Sequence, residues 1–266
     1  MPSSKKKESS SLIRLINKAW FKKKDRFASL KVMKIALIGY GKMGKLLTEH
    51  INASENELVC IVDPMEKITT VDDIKSQDLE KTDLFIDFSQ PQAVLKNLSF
   101  CHEHRKAVVI GTTGWEEDVE TVKEYGKNIA IFHASNFSIG VYVFSRILKE
   151  AARLFENLDE YESAGFEWHH KDKIDAPSGT AKMLSKVLHS SKKNSSQTPS
   201  EFLSLRAGYN IGKHEIIFDS PVDSICLSHQ AKSRDGFVKG ALIAAKWLLK
   251  QKSGFYAMQD LMEDMA

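Results

Sequence analysis

From residue 33 the chain alternates short apolar runs with longer stretches whose apolar residues recur at helical spacing. MKIALI (33–38), ELVCIVD (57–63), LFIDF (84–88), AVVI (107–110) and IAIF (129–132) are each too short for a buried helix and read as strands. KLLTEHINASE and the stretches 92–104 and 116–126 are helix-sized segments between them. Alternation of this kind predicts an α/β fold with a doubly wound parallel sheet.

The rhythm changes near residue 140. Helical periodicity over 141–156 leads into a strand, YESAGFEWH, then a polar loop and a helix beginning near Thr180. SSKKNSSQTPS (190–200) reads as a polar loop. LSLRAG, HEIIFDS and DSICLSHQ are expected as antiparallel strands with turn residues between them, and 237–250 as a last packed helix. This half is expected to be an α+β domain with a mixed or antiparallel sheet. No internal repeat is evident.

Composition changes the picture little. Hydrophobic residues make up 42% and charged residues 27%, ordinary for a globular chain. No apolar run approaches the roughly 18 residues of a membrane span, and no secretory pattern opens the chain. The three cysteines, Cys60, Cys101 and Cys226, have neither metal-ligand nor disulfide spacing. Cys60 and Cys226 lie in strand-like runs and are expected to be buried, in a reducing, cytoplasmic compartment.

Charge is more informative. Residues 1–32 hold ten Lys/Arg against two acids, a balance of +8, so the net +3 of the chain leaves −5 on the remaining 234 residues. A mildly acidic body argues against nucleic acid as a partner. MPSSKKKESSS is low in complexity and reads as flexible. Leu12, Ile13, Ile16, Ala19 and Trp20 then fall at helical spacing before Lys22, Lys23 and Lys24. That segment suits an anionic membrane surface or organelle import. A dispensable extension upstream of a start at Met33 is the simpler expectation.

Gly39, Gly41 and Gly44 form G-x-G-x-x-G between a strand and a helix, with Tyr40, Lys42 and Met43 inside the motif. Such glycines allow a tight turn, close approach of backbone to a pyrophosphate, and close packing of helix on strand. Asp63 ends the second strand 19 residues after Gly44, where a carboxylate meets ribose hydroxyls. Pro64 and Met65 follow it, so no arginine stands ready for a 2′-phosphate; NADH is favoured over NADPH, which Lys42 keeps open. Gly111, Thr112 and Thr113 follow one strand and Ala134, Ser135, Asn136 and Phe137 another, at the carboxyl ends where ligands bind in open sheets.

EWHHKDKIDAPSGTA (167–181) concentrates proton donors and anion-binding groups. His169 or His170 can act as an acid near neutral pH. Lys173 suits a carboxylate, as do the N–H groups of Gly179 and Thr180 after Ser178 at a helix start. No metal is expected, because adjacent histidines on a strand point to opposite faces and no third ligand is well spaced.

This segment resembles that of the 4-hydroxy-tetrahydrodipicolinate reductases (dihydrodipicolinate reductases) of diaminopimelate and lysine biosynthesis. The resemblance runs from Met33 almost to the C-terminus and includes GYGKMG, IDFSQP, VIGTTGW, ASNFSIGV and the pattern from Ser233 to Leu248. It implies NAD(P)H-dependent reduction of 4-hydroxy-tetrahydrodipicolinate with loss of water. His169 is implied as proton donor and Lys173 as a second donor. His170, Ser178, Gly179 and Thr180 are implied to hold a small dicarboxylate, with Arg234 near it. Residues 39–44, Asp63, 111–113 and 134–137 are implied to hold the cofactor. Also implied are a homotetramer built through the second domain's sheet, a Rossmann domain of 33–137 plus 231–266, and a substrate-binding and oligomerisation domain of 138–230. Hinges are expected at 138–140 and 230–233.

The chain departs from the pattern in places. Gln90 stands where some relatives have a basic residue, the glycine loop and the 190–205 region are short, and residues 1–32 match nothing in the family. Three rivals are set against this reading. Another two-domain dehydrogenase acting on an oxo-acid or sugar explains the Rossmann half but not the histidine-lysine-SGT segment. An aldehyde-oxidising thioester enzyme needs a nucleophile-like cysteine, and none is present. A silent sensor of NAD(H) or a dicarboxylate leaves the complete acid and anion-binding set unexplained.

Overall fold

The computed structural model describes residues 32–66, 68–190 and 202–265. The basic N-terminal segment and the polar loop over 191–200 lie outside the described residues. The first half runs β1 (Lys34–Ile38), α1 (Lys42–Asn52), β2 (Glu57–Val62), α2 (Ser76–Lys81), β3 (Leu84–Asp87), α3 (Val94–Glu103), β4 (Ala107–Ile110), α4 (Val119–Gly126) and β5 (Ala130–His133). The second half runs α5 (Ile139–Phe155), β6 (Glu162–His169), α6 (Gly179–Ser190), β7 (Phe202–Arg206), β8 (Gly212–Asp219), β9 (Ser224–Ala231), α7 (Asp235–Leu248), β10 (Gly254–Tyr256) and α8 (Met258–Met265). Among the described residues no helix is long and apolar enough to cross a membrane.

β1 to β5 and β10 form one parallel sheet in the order β2-β1-β3-β4-β5-β10. Period-two alternation divides the core into two layers. Ile35 and Leu37 face α1, α7 and α8, where Leu47, Ile51, Val238, Ala241 and Leu261 are buried. Ala36 and Ile38 face the opposite layer with Phe85 and with Val94, Leu98 and Val122 of α3 and α4. The strands are therefore apolar on both faces, as parallel strands covered by helices must be. The order reverses at β1, which has β2 on one side and β3 on the other, and this opens a crevice at their carboxyl ends.

The second sheet has the order β7-β6-β8-β9 and carries α5 and α6 on one face over Phe144, Leu148, Leu184, Phe202, Ile216 and Phe218. It is mixed. β8 is antiparallel to β6 and to β9, but β7 pairs with β6 in parallel, which corrects the expectation of three antiparallel strands. The reason is the helix α6 between them: a strand reached by a helical crossover returns in the same direction. The short elements α2 and β10 have too few residues to leave a periodic trace; they and the terminal α8 were not expected.

The cysteine expectation needs correction too. Cys101 is buried and Cys60 half-buried, but Cys226 is exposed. It pairs with Ile217 on the face of the second sheet away from α5 and α6, so an apolar strand pattern did not mean burial there.

Candidate active site

Two clefts lie at the carboxyl ends of the first sheet. One, about 390 Å³, opens at the β1/β3 crevice and is lined by Gly39, Gly41, Asp63, Phe88, Ser89 and Gln90 among others. Gly39 has φ +95°, and a Cβ there would lie 2.3 Å from the Phe88 carbonyl oxygen. A Cβ on Gly44 would lie 2.1 Å from the Gly39 carbonyl oxygen, so this glycine lets α1 pack against the turn. Gly41 has nothing within 4 Å of its Cβ position, which leaves backbone open to a ligand. The first turn of α1 has neither a side-chain cap nor an acid, so its N–H groups are available to phosphate. These features fit a dinucleotide.

Asp63 stands at this cleft, but its carboxylate is already engaged. Oδ2 accepts from Tyr40 N at 2.6 Å, and Oδ1 accepts from Met65 N at 2.9 Å and Glu66 N at 3.0 Å. It ties the glycine loop to the end of β2. Lys42 is exposed, while Met43 packs against the core.

The two later loops divide by role. Thr113, Ser135 and Asn136 line the second cleft, about 800 Å³. Ala134 and Phe137 are buried in the core, and Gly111 sits under the Phe88 ring. Thr112 is buried with its hydroxyl donating to Asp87 Oδ1 at 3.0 Å. Asp87 also accepts from Ser89 N at 2.8 Å and Asn97 Nδ2 at 2.9 Å, so one buried carboxylate anchors both the 87–90 and 111–113 loops. Burial raises its pKa against the pull of these hydrogen bonds. This residue went unsingled in the sequence, although a lone Asp closing an apolar strand was a visible signal.

Across the second cleft stand His169, His170, Lys173, Ser178, Gly179 and Thr180, with Arg234 from the start of α7. The fold thus brings together every substrate-side residue expected from the sequence. Lys173 Nζ is 2.6 Å from Asp175 Oδ1. Asp175 is held below its usual range: burial opposes this, but Lys173 and the N–H of Gly179 outweigh it. An internal carboxylate therefore rests on groups suited to a bound one. Arg234 Nη2 comes within 3.5 Å of His170 Nε2, joining α7 to the loop after β6.

Behind the cleft lies a buried cluster that spacing did not reveal. Glu167 and His169 share one face of β6. Sheet register puts Ser204 and His214 on either side of Glu167, and Arg206 beside His169. Glu167 Oε1 accepts from Ser178 N at 2.9 Å, Ser204 Oγ at 2.6 Å and Arg206 Nη2 at 2.6 Å. Its Oε2 lies 3.4 Å from His169 Nδ1 and 3.5 Å from His214 Nε2. Burial raises the Glu167 pKa, but these donors override it and bring it to about 2. Burial is also the main reason that His169 and His214 fall to about 4; Lys173 and Arg206 push His169 down further, and Glu167 opposes them.

Glu167, His169 and His214 gather ligand-type atoms within 4.8 Å of one another. The Arg206 cation already balances this carboxylate, so the cluster reads as an ion-pair network rather than a metal centre.

Comparison with known proteins gives the family and the fold. Residues 33–137 match the family described as dihydrodipicolinate reductase, N-terminus, and residues 140–262 match dihydrodipicolinate reductase, C-terminus. The 4-hydroxy-tetrahydrodipicolinate reductase of Christiangramia forsetii is 36% identical over 245 residues, covering 88% of this chain and 99% of the relative. That of Buchnera aphidicola subsp. Schizaphis graminum is 33% identical over 270 residues, covering 88% and 98%. In fold, the dipicolinate-bound dihydrodipicolinate reductase from Paenisporosarcina sp. TG-14 superposes with a TM-score of 0.70 at 21% identity, over 85% of this chain and 98% of that one.

Proposed function

The chain belongs to the dihydrodipicolinate reductase family, and we propose on that premise that it reduces 4-hydroxy-tetrahydrodipicolinate to tetrahydrodipicolinate with loss of water, in lysine and diaminopimelate biosynthesis. One observation carries the reading: His169, His170, Lys173 and the start of α6 face the loop residues Thr113, Ser135 and Asn136 across a single cleft. Proton donors and carboxylate-binding groups thereby meet the nicotinamide end of a dinucleotide site.

When bound, the nicotinamide supplies hydride. The protein supplies the rest. Gly179 and Thr180 offer backbone N–H groups to one substrate carboxylate at the helix start. Lys173 leaves Asp175 and takes the second carboxylate. His169 gives the proton that balances the hydride. In the free protein His169 is neutral at pH 7, held at about 4 by burial and by Lys173 and Arg206. A dianion in the cleft reverses that balance, because a nearby negative charge favours imidazolium. The substrate thus charges its own acid.

NADH is the favoured cofactor. Asp63 faces the adenosine end, and two lysines near it already have carboxylate partners: Lys45 with Glu66 at 3.5 Å and Lys96 with Asp72 at 2.5 Å. Exposed Lys42 of the glycine loop is the cation that keeps NADPH open. Leu203 and Leu205 are exposed beside half-buried Phe166 and Trp168 on the outer face of the second sheet, which supports a homotetramer assembled through that face. We place the protein in the cytoplasm.

The test couples the purified protein to a synthase that makes the substrate and follows NADH and NADPH oxidation. Substrate-dependent oxidation that falls on the order of 10²–10⁴-fold in His169→Ala/Lys173→Ala supports the assignment. Normal turnover in that double variant ends it.

A further inference from the structure

Glu167 is fully buried and does not line the cleft, yet it touches the machinery on three sides. Its Oε1 is saturated by Ser178 N, Ser204 Oγ and Arg206 Nη2. Its Oε2 has no hydrogen-bond partner, and neither does the buried Nδ1 of His169, which faces it at 3.4 Å. Natural cores rarely leave two such groups unpaired side by side. At 3.4 Å the two atoms stand just beyond N–H···O length, so a small shift of the imidazole closes the bond.

We propose that Glu167 is a positioning residue for the reduction: Oε2 holds the His169 imidazole with its proton on Nδ1, leaving Nε2 for proton transfer, while Oε1 anchors the start of α6. The proposal rests on the reading of His169 as the acid. Gly212, opposite His169 on β8, supports the same orientation, because a Cβ there would lie 2.9 Å from His169 Nε2. The link to α6 runs through Ser178, whose N–H goes to Glu167 and whose Oγ accepts from Ala181 N at 3.1 Å. One carboxylate thus places both the acid and the helix start proposed to receive the substrate.

The charge balance gives the pH signature. His169 faces Glu167 on its own strand, Arg206 on β7, His214 on β8, and Lys173 and Asp175 in the following loop. Neutralising Glu167 leaves the cations Lys173 and Arg206 less opposed, so the imidazolium of the complex loses its proton at lower pH.

Glu167→Gln in the full chain is the test, since glutamine keeps the shape and an acceptor for Ser178 N. Expected are a fall in kcat of roughly 10²-fold, within the range a general acid contributes, NADH affinity unchanged, and an alkaline limb of kcat moved to lower pH. ¹⁵N shifts of His169 in the wild-type protein should report the Nδ1–H tautomer. A folded Glu167→Gln protein with wild-type kcat and pH profile overturns the proposal, as does an Nε2–H tautomer in the wild type. His169→Ala separates the two readings: if it keeps turnover, the acid assignment has failed. If it loses turnover while Glu167→Gln does not, only the positioning role has failed. Should Glu167→Gln not fold, the wild-type tautomer decides.

Discussion

Asn136 Nδ2 donates to Thr180 Oγ1 at 3.1 Å, joining the loop after β5 to the first turn of α6. The Asn136 Oδ1 accepts from Ser138 N at 2.8 Å, so the amide is oriented from behind by the start of α5. The loop proposed to hold the cofactor and the proposed carboxylate site are therefore in direct contact across the cleft. Thr180→Val removes that bond and keeps the backbone N–H. Its loss is worth about 1 kcal/mol, so KM for the dicarboxylate should rise roughly five- to tenfold in steady-state assays, with NADH affinity little changed.

The glycine loop separates fold from ligand. Gly44→Ala drives a Cβ to 2.1 Å from the Gly39 carbonyl oxygen, and a backbone atom cannot give way cheaply. It should destabilise the protein by about 1–3 kcal/mol, seen in urea denaturation. Gly41→Ala meets no protein atom within 4 Å. It should leave the urea midpoint near wild type while weakening NADH roughly tenfold or more by titration, because the methyl enters the pyrophosphate's space.

Binding of a dicarboxylate should take up protons. His169 sits at about 4 in the free protein, displaced downward by burial and then by Lys173 and Arg206. A dianion raises it, so near pH 6.5 dipicolinate binding should absorb up to ~1 proton per site. Calorimetry in buffers of different ionisation enthalpy measures the uptake. His169→Ala should abolish it.

The free protein should weaken in acid earlier than its carboxylates alone require. His169 and His214 fall from 6.5 to about 4 on folding, so both are neutral in the folded and unfolded states above pH 6.5. As pH drops from 6.5 to 4 only the unfolded chain takes up these protons, and stability falls. Glu167, at about 2 against 4.5 unfolded, extends the loss from pH 4.5 downward. Urea midpoints at pH 7, 5.5 and 4.5 should therefore decline in order. His214→Gln should flatten the first step, provided its unfolding remains two-state.

Much of this molecule was legible in one dimension. Glycines at 39, 41 and 44 between a strand and a helix carry their meaning locally, because turn geometry and helix-end charge depend on near neighbours. The same holds for 167–181, where His169, Lys173 and the Ser178–Thr180 helix start lie within one short stretch. The cofactor-loop expectations were coarser: Thr113, Ser135 and Asn136 face the cleft, whereas Ala134, Phe137 and Thr112 are buried.

What spacing could not supply was the environment of those groups. Ser204, Arg206 and His214 lie 37 to 47 residues beyond Glu167 and meet it only through strand register. That register depends on α6 carrying β7 back parallel to β6 and on β8 turning antiparallel on the other side. Parity along β6 was readable, and a charged residue at an inward position was its one hint. Which strands flank it, and hence which charges surround His169, is a long-range outcome of packing. The sequence named the acid candidate; the tertiary structure set its protonation, because burial and neighbouring charge belong to the assembled sheet.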